Sequence, residues 1–284
     1  MTAADVGLVI VAAGSGSRLG ADAPKAFVPL AGVPILGHAL RGALSCPDLR
    51  EVVVVAPPAW LGPAQEVCRS AGFAVPADPA PTPLPSSGPG PAALPWNGAN
   101  RAEPEVSART DGYLRASGQY PSRGHYPSKG HNPTVTVVAG GAERGESVAA
   151  GLAALSGGVH VVLVHDAARC LAPSTVFARV IEAVRGGAAA AVPGVPVVDT
   201  IKEVDACGRV VGTPDRSRLR AVQTPQAFSR AVLERAHAVT SDATDDAALV
   251  ERLGEPVIVV PGDERALKIT TREDLDRAAR ILAG

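Results

Sequence analysis

Short β-branched apolar runs alternate along this chain with stretches whose apolar residues recur at helical spacing. Val6–Val11 is a continuous apolar run bounded by turn residues, as expected of a strand covered on both faces. Further strands are predicted at Glu51–Ala56, Thr134–Ala139, Val159–Val164 and Ala188–Val192, and helices at Pro34–Leu44, Pro63–Ala71, Ser147–Leu155 and Ser174–Arg185. This rhythm predicts an α/β fold: a Rossmann-like, mainly parallel sheet with helices on both faces. After Val192 the rhythm changes. Val195–Val204 and Arg209–Thr213 flank the turn pair Cys207-Gly208, and Leu219–Thr224 is again extended. These residues predict a projecting β-hairpin arm at about 194–224, placed to cover a site or a partner subunit. A helix at Ala227–Ala238, a helix at Asp245–Leu253, a strand at Val257–Pro261 and a helix at Arg272–Leu282 complete the pattern.

One segment does not share this pattern. Pro76 to Pro133 holds 12 Pro, 7 Gly and 6 Ser, with Val106 its only Val and no Ile, Phe or Met. Such a composition cannot bury enough apolar area to offset its ordering entropy. It is therefore read as a disordered insertion at 76–133 within a single domain spanning 1–284. Inside it, Tyr120-Pro-Ser-Arg-Gly-His125 is repeated at once as Tyr126-Pro-Ser-Lys-Gly-His131. No other metal-ligand cluster accompanies these two histidines, so drift in a tolerated loop explains the repeat better than a metal site.

Lys plus Arg is 27 and Asp plus Glu is 28, a balance that argues against a dedicated nucleic-acid binder. The four cysteines show no CxxC spacing, which argues against a zinc ribbon or disulfide framework. No apolar run approaches the roughly 20 residues of a membrane-spanning helix. A cytoplasmic location without membrane contact is expected, and no second catalytic domain is expected beyond Gly284.

The first strand runs into Ala12-Ala13-Gly14-Ser15-Gly16-Ser17-Arg18-Leu19-Gly20, followed by Pro24-Lys25. Glycines after a parallel strand let backbone N–H groups approach a phosphate. Leu19 stands where the dinucleotide fingerprint needs glycine, and the Walker A spacing is absent. What remains is a glycine loop with two cations, Arg18 and Lys25. That combination suits phosphoryl or nucleotidyl transfer, in which charge grows on the attacked phosphate. Ala12 and Ala13 are small enough to leave room for a base.

His165-Asp166-Ala167-Ala168-Arg169 follows a predicted strand. Asp166 there suits Mg²⁺ or a ribose hydroxyl, and Arg169 suits an anion. Alone, the pair also reads as a local salt bridge. Gly140-Gly141-Ala142-Glu143-Arg144-Gly145-Glu146-Ser147 again links a strand to a helix. Three such strand ends at one sheet edge point to a site.

These segments occur in order with Asp199-Thr200-Ile-Lys202, Thr224-Pro225-Gln226, Thr244-Asp245-Asp246 and Leu267-Lys268-Ile-Thr270. Together, over residues 6–57 and 134–282, they resemble the 2-C-methyl-D-erythritol 4-phosphate cytidylyltransferases of the non-mevalonate isoprenoid pathway. The resemblance implies a nucleotide-diphospho-sugar transferase-like fold and transfer of CMP from CTP to 2-C-methyl-D-erythritol 4-phosphate, with Mg²⁺ as cofactor. The products would be 4-diphosphocytidyl-2-C-methyl-D-erythritol and pyrophosphate. It also implies a homodimer whose arms interlock.

By the same resemblance, Arg18 and Lys25 stabilise the five-coordinate α-phosphate. Ala12, Ala13, Gly14, Gly16, Gly141 and Ser147 hold the cytidine end. Asp166 and Ala167 lie at the ribose and metal edge, with Asp166 the metal ligand. Arg169, Thr200, Arg216, Thr244 and Lys268 hold the acceptor, which Arg216 and Lys268 orient, Arg216 in the neighbouring subunit's site. Two departures stand out: Ala142 occupies a position that is Asp in some relatives, and Cys170 one that is often Pro. The rival acceptor is ribitol 5-phosphate. A rival of another class is a CTP-binding protein without turnover.

Overall fold

The computed structural model describes residues 5–14, 19, 23–46, 49–75, 133–239 and 245–284. The insertion and its hexapeptide repeat, read from sequence at 76–133, lie outside the described residues except for Pro133. The elements in chain order are β1 (Val6–Val11), β2 (Pro29–Leu30), β3 (Val33–Pro34), α1 (Ile35–Leu44), β4 (Leu49–Ala56), α2 (Leu61–Ser70), β5 (Thr134–Ala139) and α3 (Arg144–Ala153). Next come β6 (Val161–Asp166), α4 (Ser174–Arg185), β7 (Ala190–Pro196), β8 (Glu203–Val204), β9 (Val210–Gly212) and β10 (Arg220–Val222). The last are β11 (Gln226–Ser229), α5 (Arg230–Val239), α6 (Asp246–Arg252), β12 (Val257–Pro261) and α7 (Arg272–Ala283).

One eight-stranded sheet organises the chain, with β5, β4, β1 and β6 adjacent and parallel. β11 lies antiparallel between β6 and β7, β10 pairs antiparallel with β7, and β12 pairs parallel with β7. The sheet is thus mostly parallel in its core and mixed on one side. Alternate residues of β1 feed two cores. Leu8 and Ile10 join Leu36, Leu40, Val67, Phe177 and Ile181 of α1, α2 and α4. Val9 joins Val148, Leu152, Leu233, Leu249 and Val250 of α3, α5 and α6. Helices therefore cover both faces, as the unbroken apolar run of β1 requires. Among the described residues no helix is long and apolar enough to cross a membrane.

Four local expectations need correction. β6 lies two residues later than predicted, at Val161–Asp166, because pairing with β1 continues to Ile10↔His165 and Val11↔Asp166. Ala227–Ser229 is strand rather than the start of a helix, since β11 fills the slot between β6 and β7. α3 begins three residues early, where Glu143 and Glu146 form a capping box. At the base of the arm residues 194–196 and Arg220–Val222 pair as part of β7 and as β10 of the main sheet, and beyond them the arm holds only the short pair β8–β9 in place of two long strands. Its tip is a compact turn in which the Asp205 carboxylate accepts from the N–H groups of Cys207 and Arg209 at 2.9 Å each, with Gly208 at φ 78°.

Candidate active site

Register brings the glycine loop and Asp166 together. Val11 pairs with both Val55 and Asp166, and Ala56 pairs with Ala139. The carboxyl ends of β1, β4, β5 and β6 therefore lie along one edge, where open parallel sheets bind ligands. Ala12–Gly14, Gly141–Arg144 and Asp166–Ala168 leave the sheet there and line an open cleft of about 660 Å³ with Lys25, Ser147 and Lys268. The Ala12 N–H donates to the Val55 carbonyl, and the Gly140 N–H to that of Ala56, at 2.8 Å each, which ties both loops to β4. Gly140 is enclosed: a Cβ on it would lie 2.7 Å from Ala13 Cβ and 2.8 Å from Ser147 Oγ. The cleft wall is thus main chain and small side chains, a shape suited to a flat base.

The opposite side is charged. The Asp166 carboxylate, 9% exposed, receives Lys268 Nζ on Oδ2 at 2.7 Å and faces Arg144 Nε from Oδ1 at 3.7 Å. Burial pushes its pKa up, but Lys268 and then Arg144 outweigh burial and hold it at about 2. Its N–H donates to Thr224 Oγ1 at 3.0 Å, and that hydroxyl also meets His165 Nδ1 at 3.0 Å. Burial drives the His165 pKa down to about 4, so this histidine is neutral at pH 7 and serves the strand end structurally.

A second hollow of about 490 Å³ adjoins the first, lined by Arg169, Val222–Thr224, Gln226 and Asp245. Arg144, Asp166 and Lys268 line both and form the partition between them. A nucleotide in the first cleft would meet an acceptor in the second across this charged partition.

The sequence-predicted residues divide into groups. Ala12, Ala13, Gly14, Lys25, Gly141, Ser147, Asp166, Ala167 and Lys268 line the first cleft. Ser147 Oγ points to its own helix, donating to the Glu143 carbonyl at 3.1 Å. Arg169 lines the second hollow, with its amino groups donating to the Ala266 and Val222 carbonyls at 2.8 and 3.2 Å. It is therefore a bracket between the arm's base and the Lys268 segment as well as a cation. Thr200 and Arg216 sit exposed on the arm, outside the lining of both hollows. Arg216 Nη1 donates to the Val198 carbonyl at 2.6 Å. Gly16, Arg18 and Thr244 lie outside the described residues. At Ala142 the N–H donates to Glu146 Oε2 at 2.7 Å. Cys170 is buried, and burial pushes its thiol up to about 12, so it is inert near neutral pH.

Sequence reasoning gave no role to Arg144 or Asp246, which meet through Nη1 and Oδ2 at 2.7 Å. Burial lowers the Arg144 pKa, but Asp246 and then Asp166 outweigh it and keep the guanidinium charged. Both residues stand inside quoted motifs; the signal was the pair of acidic residues beside Thr244, set against the cation between Gly141 and Ser147.

Comparison with known proteins identifies the family. The family model for 2-C-methyl-D-erythritol 4-phosphate cytidylyltransferase matches residues 122–284, and that for the MobA-like NTP transferase domain matches 8–102. The chain is 40% identical to a 2-C-methyl-D-erythritol 4-phosphate cytidylyltransferase of Nocardia farcinica, over 96% of this chain and 92% of that protein. It is 42% identical to a bifunctional enzyme of Clavibacter michiganensis, covering 98% of this chain and spanning 54% of that longer protein. A crystal structure of the Thermus thermophilus cytidylyltransferase superposes with a TM-score of 0.60 at 29% identity, covering 98% of both chains. The chain belongs to the 2-C-methyl-D-erythritol 4-phosphate cytidylyltransferase family.

Proposed function

We propose that this protein transfers CMP from CTP to 2-C-methyl-D-erythritol 4-phosphate, giving 4-diphosphocytidyl-2-C-methyl-D-erythritol and pyrophosphate. The observation that carries the reading is the partition of Asp166, Lys268 and Arg144 between a small-residue cleft and a second polar hollow. A phosphate oxygen of the acceptor attacks the α-phosphorus in line as the bond to pyrophosphate breaks. That oxygen is already ionised at pH 7, so no general base is required, and the neutral, buried His165 supplies none. Lys25 and Lys268, joined by Arg18 as the family resemblance implies, stabilise the charge that grows on the α-phosphate. Fixing both phosphates across one partition contributes the rest through orientation.

The donor set fits a divalent cation such as Mg²⁺. Among the described residues no three His, Cys, Asp or Glu side chains cluster as a cage. Mg²⁺ at nucleotide sites takes one or two carboxylates and completes its shell with phosphates and water. Asp166, ionised and with Oδ1 only loosely approached by Arg144, would hold it. The ion would neutralise phosphate charge.

The arm supports a homodimeric reading. Val198, Val204, Val210 and Val211 are 81%, 57%, 59% and 65% exposed, more apolar surface than an arm in water favours. A partner subunit would cover it and receive Thr200 and Arg216 beside its own acceptor hollow.

The test is pyrophosphate release from CTP and Mg²⁺ with methylerythritol 4-phosphate, ribitol 5-phosphate or no acceptor. Release only with the first is expected. Release only with ribitol 5-phosphate would move the enzyme to another acceptor, and CTP binding without release would make it a binding protein.

A further inference from the structure

Asp246 is the most buried carboxylate of the site region, at 1% exposure. An ionised carboxylate there is costly unless fully partnered. Its Oδ2 meets Arg144 Nη1 at 2.7 Å, and its Oδ1 meets His237 Nε2 at 3.1 Å. Arg144 opens α3, His237 lies in the last turn of α5, and Asp246 opens α6. Three helices on one face of the sheet thus converge on one carboxylate.

Helix formation does not explain Arg144. A cation in the first turn of a helix opposes the macrodipole. The residue lines both hollows, and its guanidinium is divided between two carboxylates, paired with Asp246 at 2.7 Å and lying 3.7 Å from Asp166. That second distance is beyond a hydrogen bond. Were Asp246 neutral or turned away, the guanidinium would settle on Asp166 Oδ1. Asp166 would then carry a cation on each oxygen, since Lys268 already occupies Oδ2. A carboxylate so paired is a poor ligand for another cation.

We propose that His237 and Asp246 are positioning residues that restrain Arg144 from Asp166 and so keep one Asp166 oxygen open to the divalent cation that accompanies the nucleotide. His237 fixes one oxygen of Asp246, which directs the other at Arg144. The inference rests on the part of the proposed function that places CTP and its divalent cation in the first cleft.

The test is calorimetry of CTP binding without acceptor, with and without Mg²⁺. The quantity read is the gain in CTP affinity that Mg²⁺ brings, which does not depend on the fraction of active protein. His237→Leu and Asp246→Asn are expected to shrink that gain about tenfold, the low end for residues that orient a metal ligand. His237→Gln, which keeps an N–H near the Nε2 position, should hold it within about twofold. In Asp246→Asn combined with Arg144→Met the gain should return, because the cation that closes Asp166 is gone. An unchanged gain in His237→Leu and Asp246→Asn would overturn the inference, as would a double variant no better than Asp246→Asn. If Asp246→Asn does not fold, the His237→Leu and His237→Gln pair decides alone, with thermal melts separating loss of fold from loss of positioning. Turnover of the unaltered protein with acceptor is measured alongside. An inactive protein with an intact calorimetric pattern would sink the transfer reading and leave the positioning standing.

Discussion

Replacing Gly140 with alanine tests whether backbone contact shapes the nucleotide cleft. The added Cβ would lie 2.7 Å from Ala13 Cβ, 2.8 Å from Ser147 Oγ and 3.2 Å from Val55 Cγ1. Ordinary carbon contacts lie at about 3.5–4.0 Å, so Ala13 and Gly140 must part by roughly 0.8 Å or more. The Ser147 hydroxyl can rotate away, whereas Ala13 Cβ moves only with its backbone. Overpacking of this kind costs about 1–3 kcal/mol. In a chain of this size that lowers the melting midpoint by roughly 2–10 °C. The larger effect falls on function, because Ala13 lines the cleft. Displacement of a substrate by about 1 Å can cost ~10²-fold, so kcat/KM for CTP should fall by about 10- to 100-fold. Melting curves and pyrophosphate release over a CTP titration measure both. Gly157→Ala is the control, since nothing lies within 4 Å of its added Cβ. A Gly140→Ala protein with the melting point and CTP response of the unaltered one would refute the claim that this contact sets the wall.

Lys25→Ala should lower kcat by at least ~10²-fold while CTP affinity by calorimetry changes far less, as for loss of one preorganised transition-state donor. Near-normal turnover would remove Lys25 from the mechanism. His165 carries a pH signature. Its folded pKa of about 4 lies below its ordinary 6.5, so its contribution to stability is complete above 6.5 and disappears as pH falls from 6.5 through 4. In urea melts the unaltered protein should lose about 3 kcal/mol more than His165→Asn over that window. Asp166, with a folded pKa of about 2, adds its own loss only from pH 4 downward. Burial also lowers the His38 pKa, so a shallower slope remains in His165→Asn, and a slope as steep as that of the unaltered protein would contradict the assignment. On the arm, Val211→Asp should yield monomers by light scattering together with loss of activity; a fully active monomer would show that Arg216 serves no neighbouring site.

The parts legible in the sequence are those set by local pattern. β1, β4, β5 and β12 are β-branched runs, and α4 has both its ends where helical spacing put them. β11 was hidden because Ala227 and Phe228 continue smoothly into the apolar spacing of α5. Only the opening between β6 and β7 makes them strand. β6 was misplaced for a related reason: His165 and Asp166 look like loop, and it is pairing with β1 that holds them extended. In the site, the glycine loop, the His165–Arg169 segment and Lys268 carry recognisable spacing. The Arg144–Asp246 pair joins segments far apart in sequence, and no spacing rule connects them. Arg169 was legible as a cation but not as a bracket, since its acceptors are carbonyls that any residue could supply.

The place of β5 at the end of the sheet bears on how this enzyme can vary. Among the described residues β5 has β4 on one side and no strand on the other. Chain can therefore be lengthened or cut between α2 and β5 without displacing a neighbouring strand, and the glycines that shape the cleft come only after β5 is in register. The connection between α3 and β6 enters the middle of the sheet beside β1. That connection is itself exposed at Ser156 and Gly157, but it must deliver β6 in register between β1 and β11, so a change of length there acts on the centre of the sheet. In a family with this topology, the first of these junctions is where length is free to drift, and it is also where a fusion or an affinity tag could be inserted with least disturbance to the chemistry.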